Sequence, residues 1–163
     1  MKPIAKDNCD FPSLRQSGCL YVDKTGWFVK MATDVQSRMY FLARPRRFGK
    51  SLMISTLKAM FEGRKELFKG LDIMKTGWNW KKKYPVIHLN MGMCAASDYD
   101  TFAQNLPDCI EAGLAGAGIK YNPKKTPSSN FGNAIDALAA TGKNPVILID
   151  EYDDPVAKAL KDV

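Results

Sequence analysis

Apolar positions along this chain follow two rhythms. Four runs are too short and too densely apolar for helices: Cys19–Val22, Met39–Ala43, Pro85–Asn90 and Pro145–Asp150. Each predicts a strand. The last carries four consecutive aliphatics, Val146 to Ile149, which predicts burial on both faces, as in a parallel sheet flanked by helices. Elsewhere the spacing is helical. Phe28, Met31, Ala32 and Val35 predict a helix from about Lys24 to Thr33, capped by Asp23. Met53, Leu57, Met60 and Phe61 predict another from Ser51 to about Phe61, stopped by Gly63. Tyr99, Phe102, Leu106, Cys109 and Ile110 predict a third, opened by Ser97 with Asp100 and bent at Pro107. Its pattern ends across Gly113, Gly116 and Gly118. Phe131, Ile135 and Leu138 predict a fourth, from Ser128 or Ser129 to Gly142. Residues 1–17, with Pro3 and Pro12, read as an irregular lead-in, and residues 18–163 as one domain. Strands alternating with helices in this way give an α/β order.

Composition narrows the picture. A chain of 163 residues can bury a core without disulfide or metal staples. No apolar segment follows the first residues and no run approaches a membrane span, so a cytoplasmic protein with no membrane partner is expected. Cys9, Cys19, Cys94 and Cys109 form no CxxC pair, and the single histidine, His88, lies inside a strand pattern. Free thiols and a packed histidine are therefore expected rather than a metal site. Charge is uneven. Residues 1–84 carry 18 Lys/Arg and 7 Asp/Glu, a balance of +11, whereas residues 85–163 carry 6 and 10, a balance of −4. The basic half suits an acidic partner, nucleotide phosphate or nucleic acid, although dispersed lysines also simply solvate helix faces. The run Trp78-Asn79-Trp80-Lys81-Lys82-Lys83-Tyr84 leaves the same choice open: stacked bases, or tryptophans packed back onto the domain.

The chemistry concentrates where the strand Met39–Ala43 meets a basic loop, Arg44-Pro45-Arg46-Arg47-Phe48-Gly49-Lys50-Ser51, and a helix follows. A phosphate cradle needs backbone N–H groups turned into one concavity with a helix N-terminus behind them. Gly49 lets the chain approach phosphate, Lys50 supplies a mobile charge to the β- and γ-phosphates, and Ser51 offers its hydroxyl to Mg2+. Arg46, Arg47, Phe48 and Leu52 complete the expected nucleotide contacts. The loop departs from the usual pattern at its first position, where Arg44 replaces glycine. A carboxylate for the metal and a base for water are also required. Asp150 ends an aliphatic strand and is the expected metal partner of Ser51. Glu151, the next residue, is the expected base, with Lys50 as its catalytic partner. Helix capping is the competing reading of this acidic pair.

These motifs resemble a known family. Tyr21-Val22-Asp23-Lys24-Thr25, the run from Arg44 to Leu52, and Ile149-Asp150-Glu151-Tyr152-Asp153 are similar to the predicted AAA-ATPase-like family of bacteria and archaea, over about Phe11 to Pro155. The resemblance implies that Arg44 belongs to the family's own form of the loop. It implies ATP and Mg2+ as ligands, with Lys50 and Ser51 as the Walker A pair and Asp150 and Glu151 as the Walker B pair. It implies a P-loop NTPase-type three-layer sandwich with a mostly parallel sheet. In that family another strand, carrying a sensor residue, follows the second acidic motif, and a restriction-like nuclease domain often follows further on. An N-terminal part of a longer protein, with a C-terminally incomplete sheet, is therefore expected. A gap in the sheet would favour rearrangement, homo-oligomerisation or strand exchange. Mg2+-assisted ATP hydrolysis is the leading expectation. A nucleotide-dependent switch with little turnover and a nucleic-acid-binding module are the alternatives. Arg46 and Arg47 fit phosphate neutralisation, contact with a neighbouring subunit, or a solvated rim. For Asp23-Lys24-Thr25, helix capping is favoured over base recognition.

Overall fold

The computed structural model describes residues 2–6, 8–43, 45 and 47–159. They form two compact units, Met1–Lys83 and Tyr84–Val163. This boundary falls at the change of charge in the sequence.

In the first unit, the described residues form helices α1 (Phe11–Gln16), α2 (Thr25–Thr33) and α3 (Lys50–Phe61), with 3-10 turns at Lys65–Phe68 and Asp72–Lys75. Helix α1 lies in the expected irregular lead-in, a correction with a local cause. Asp10 caps it by accepting the Ser13 N–H (2.9 Å), and Pro12 occupies the first turn, where its missing N–H costs nothing. The core is aromatic. Phe11 and Phe68 are fully buried with ring centroids 4.8 Å apart, and Tyr21 and Trp80 each lie 5.1 Å from one of them. Trp78 stands edge-on to Phe61 at 5.8 Å. The two tryptophans of the lysine-rich run therefore pack back onto the unit.

Two expected strands are absent from this unit. Cys19–Val22 and Met39–Ala43 lie outside any sheet. A strand exists only where a neighbour takes up its N–H and C=O groups. Leu20 instead gives its N–H to the Pro3 carbonyl (2.8 Å), and the Tyr21 ring turns inward while Leu20 and Val22 stay exposed. Met39 and Phe41 are 88% and 72% exposed, so the run entering the basic loop keeps its apolar pattern without burial.

Side chains supply much of the backbone bonding here. The Asp23 carboxylate takes the Thr25 N–H (2.8 Å) and hydroxyl (2.7 Å) with one oxygen, and the Asp72 N–H (2.6 Å) with the other. Thr25, itself buried, accepts the Ile73 N–H at 3.0 Å. The expected cap at Asp23 is displaced by one position: the N-cap of α2 is Lys24, which brings no side-chain bond, while Asp23 takes the N–H of the first helical residue, Thr25, and also holds the second 3-10 turn. Arg15 similarly donates to the carbonyls of Leu67 (2.8 Å) and Lys69 (2.7 Å). Helix α3 ends as its pattern predicts. Gly63 is left-handed (φ 76°), its N–H bonds Met60 O, and the Arg64 N–H reaches back to Ala59 O (3.0 Å). Those two bonds are a Schellman stop.

The second unit contains strands β1 (Val86–Asn90) and β2 (Val146–Asp150) and helices α4 (Tyr99–Gly116), α5 (Pro127–Ala140) and α6 (Asp154–Ala159). The strands are parallel and in register from Val86↔Val146 to Asn90↔Asp150. Ile87 and Leu89 of β1 pack with Ile110 and Leu114 of α4 and with Ala134 and Leu138 of α5. Gly113 lets α4 lie close on β1, since a Cβ there would overlap Leu89 and come within 2.9 Å of the His88 carbonyl. Helix α4 is capped by Asp98, which accepts the Thr101 N–H (2.8 Å), rather than by the expected Ser97. Its helical run continues through Gly113 to Gly116.

β2 corrects a further expectation. Leu148 and Asp150 are buried (7% each), but Ile147 and Ile149 are 39% and 46% exposed. One face of β2 is covered, and it is not the face of the α4 and α5 cluster: register sets the exposed Ile147 and Ile149 beside Ile87 and Leu89, and that cluster includes no β2 residue. The described architecture is mixed α/β with a small two-stranded parallel sheet.

Candidate functional site

The expected phosphate loop lies in the first unit. Arg44 and Arg46 lie outside the described residues. Arg47 (φ 66°) and Gly49 (φ 76°) are left-handed on either side of Phe48. Such alternation turns successive N–H groups toward one side of the chain, the arrangement that binds anions. A left-handed arginine costs about 1–2 kcal/mol, and strain of this kind concentrates at functional turns. At Gly49 the constraint is conformational, because open space surrounds the position where a Cβ would stand. Gly49 is also the N-cap of α3 and brings no side chain to it. Met53 is the first residue to bond back, to Gly49 O (3.0 Å). The N–H groups of Lys50, Ser51 and Leu52 therefore have no intrahelical partner, and the first turn of α3 holds no acidic residue. Lys50, Ser51 and Leu52 are half-buried, while Arg47 and Phe48 are exposed.

The acidic pair lies in the second unit. Because β1 and β2 are parallel and in register, Asn90 and Asp150 share the C-terminal edge of the sheet, where α/β folds present ligand groups. Asp150 is buried and accepts the Glu151 N–H at 3.0 Å. Glu151 is left-handed (φ 51°), so the chain turns sharply as it leaves β2, and the Asp154 N–H closes that turn onto Glu151 O (3.0 Å). The turn after β1 is equally organised. Asn90 Oδ1 accepts the Gly92 N–H (3.0 Å), and the thiols of Cys109 and Cys94 donate to the carbonyls of Asn90 and Met91, both at 3.3 Å. Burial, reinforced by the adjacent Cys94, pushes the Cys109 thiol up to about 11. The Glu151 carboxylate lies against Gly92.

Lys50 and Ser51 thus open α3 behind the left-handed turn at Arg47 and Gly49, and Asp150 with Glu151 stands at the turn that leaves β2. Asn90 and Gly92 escaped the sequence reading. Their one signal was a polar residue closing an apolar run, as Asp150 closes its own. Among the described residues no helix is long and apolar enough to cross a membrane.

A family model described as predicted AAA-ATPase matches residues 7–163. An uncharacterised protein from the vnfD 5' region of Azotobacter chroococcum mcd 1 is 36% identical over 137 residues, which cover 83% of this chain and 26% of that relative. The chain therefore spans about a quarter of the length of the curated relative it matches. No solved structure matches it.

Proposed function

The chain belongs to the predicted AAA-ATPase family, and from that premise we propose that it binds Mg-ATP through the loop ending in Gly49-Lys50-Ser51 and supports hydrolysis with Glu151. Family membership suggests nucleotide binding in general. The finer reading rests on one observation: α3 begins from a left-handed turn at Arg47 and Gly49, with an N-terminus free of side-chain caps and acidic residues. Backbone N–H groups so arranged attract phosphate.

In this reading the N–H groups at the start of α3 hold phosphate oxygens, and the Lys50 ammonium neutralises the β- and γ-phosphates. Arg47 adds positive potential at the rim, Arg46 is proposed to do the same, and Phe48 and Leu52 border the nucleotide. The Ser51 hydroxyl in the first unit and the Asp150 carboxylate in the second are each oxygen donors of the kind that suits Mg2+, which would supply charge neutralisation on the phosphates when bound. Glu151 accepts a hydrogen bond from the attacking water and takes its proton as the bond to the γ-phosphorus forms and the bond from that phosphorus to the β–γ bridging oxygen breaks, with ADP leaving.

Titration calorimetry with Mg-ATP and a phosphate-release assay test the assignment. Lys50→Ala should abolish measurable ATP binding. Glu151→Gln should keep affinity within about threefold while lowering turnover by at least roughly a hundredfold. ATP binding left unchanged by Lys50→Ala would overturn the loop assignment.

A further inference from the structure

We propose that Gly92 is a positioning residue for Glu151: the side chain missing at position 92 leaves the seat in which the Glu151 carboxylate lies. A Cβ built on Gly92 would overlap Glu151 Oε2 and stand 3.1 Å from both Glu151 Cδ and Asn90 Oδ1. The backbone at Gly92 is not left-handed, so glycine is not required there by conformation. What a side chain would collide with is the end of another side chain, and that end can swing away without disturbing the fold. Gly92 therefore differs from Gly113, where an added Cβ would meet backbone as well as Leu89.

Two features hold the seat in place. Asn90 Oδ1 accepts the Gly92 N–H and fixes the turn after β1, while register places Asn90 beside Asp150. On the opposite side, the left-handed φ of 51° at Glu151 sends its side chain across toward that turn rather than onward along β2. The strain of a left-handed glutamate and the absence of a side chain at 92 thus converge on one carboxylate position. The consequence for catalysis rests on the reading of Glu151 as the base that orients water. Displacing such a carboxylate by about 1 Å costs up to roughly a hundredfold in rate.

Gly92→Ala tests the seat directly. The sequence holds four glutamates, Glu62, Glu66, Glu111 and Glu151, so 13C labelling at Cδ follows each carboxylate separately. The expected result is a displaced Glu151 resonance with the other three unchanged. Four unmoved resonances would overturn the proposal, and so would a general movement of all four, which marks a merely structural role. In steady-state assays, Gly92→Ala should lower kcat roughly ten- to a hundredfold with ATP affinity within about twofold. Glu151→Asp, whose shorter side chain clears the new methyl group, should cost less in the Gly92→Ala background than alone. Additive losses would count against the seat. Full turnover by Glu151→Gln would instead overturn the reading of Glu151 as base, while the resonance shifts still decide where its carboxylate lies.

Discussion

The basic unit that ends at Lys83 and the acidic unit that begins at Tyr84 hold their backbones in different ways. In the second, two parallel strands exchange a regular ladder and an aliphatic cluster from α4 and α5 covers one face. In the first, stacked aromatic rings fill the core, and charged side chains reach backbone groups far away in sequence: Arg15 to Leu67 and Lys69, Asp23 to Asp72. The aliphatic unit rests mainly on shape and register, with an exposed bond from the Lys158 ammonium to the Ala95 carbonyl (3.1 Å) beside them. The aromatic unit depends in addition on ionisation, because its ties involve a carboxylate and a guanidinium. Apolar surface is also spent differently. Met39, Phe41 and Phe48 around the basic loop are exposed, whereas in the second unit the exposed aliphatics Ile147 and Ile149 lie on a formed strand.

The largest expected effect is on the aromatic core. Phe68→Ala removes a fully buried ring between Phe11 and Trp80 and should cost about 3–5 kcal/mol. All three tryptophans, Trp27, Trp78 and Trp80, belong to the first unit, so urea unfolding followed by tryptophan fluorescence reads this loss directly. An unchanged midpoint would show that the ring cluster does not hold that unit.

Next comes the one-sided burial of β2. Leu148→Ala should destabilise by about 2–4 kcal/mol, while Ile147→Ala and Ile149→Ala should each cost about 1 kcal/mol or less. Equal losses at all three positions, measured by amide exchange in β1 and β2, would mean that Ile147 and Ile149 are covered in solution.

The smallest effect concerns ionisation. Burial pushes the Asp23 carboxyl up, but hydrogen bonds from Thr25 and Asp72 and the charge of Arg15 outweigh it, so Asp23 titrates below the usual carboxylate range. A carboxyl depressed in the folded state contributes stability above its unfolded value, near 3.8, and that stability is lost as pH falls through the lower folded value. Asp23→Asn should therefore weaken the first unit by about 1 kcal/mol at neutral pH and flatten its loss of stability below about pH 4. Parallel acid titrations of the two proteins, monitored by tryptophan fluorescence, would show curves converging at low pH. Curves that stay parallel would exclude Asp23 as the source.

Much of this organisation was legible in the order of residues, and the parts that were not share a cause. Helix α3 was readable from Met53 to Gly63 because its stripe and its stop are local. β1 and β2 were readable because β-branched residues of the right length are bounded by Pro85 and Pro145. Cys19–Val22 and Met39–Ala43 carry equally apolar patterns, yet pairing is a property of a neighbour that the pattern does not contain. The same limit applied at the site. Gly49-Lys50-Ser51 and Asp150-Glu151 announce themselves by type and spacing. Gly92 does not, since its importance depends on a contact with a residue 59 positions further on.

The sequence by itself determined the family of the protein, helices α2 to α5, the two strands of the sheet and the division of charge, and it nominated the residues proposed to meet phosphate and metal. These follow from side-chain chemistry acting over a few neighbouring positions. Only the tertiary structure decided that β2 is covered on one face, that the two tryptophans of the lysine run pack inward, that Asp23 holds a turn 49 residues away, and that Glu151 lies against Gly92. Each of these depends on which distant groups meet, and in a folded chain that is decided by packing and hydrogen-bond satisfaction together, not by any one segment's preference.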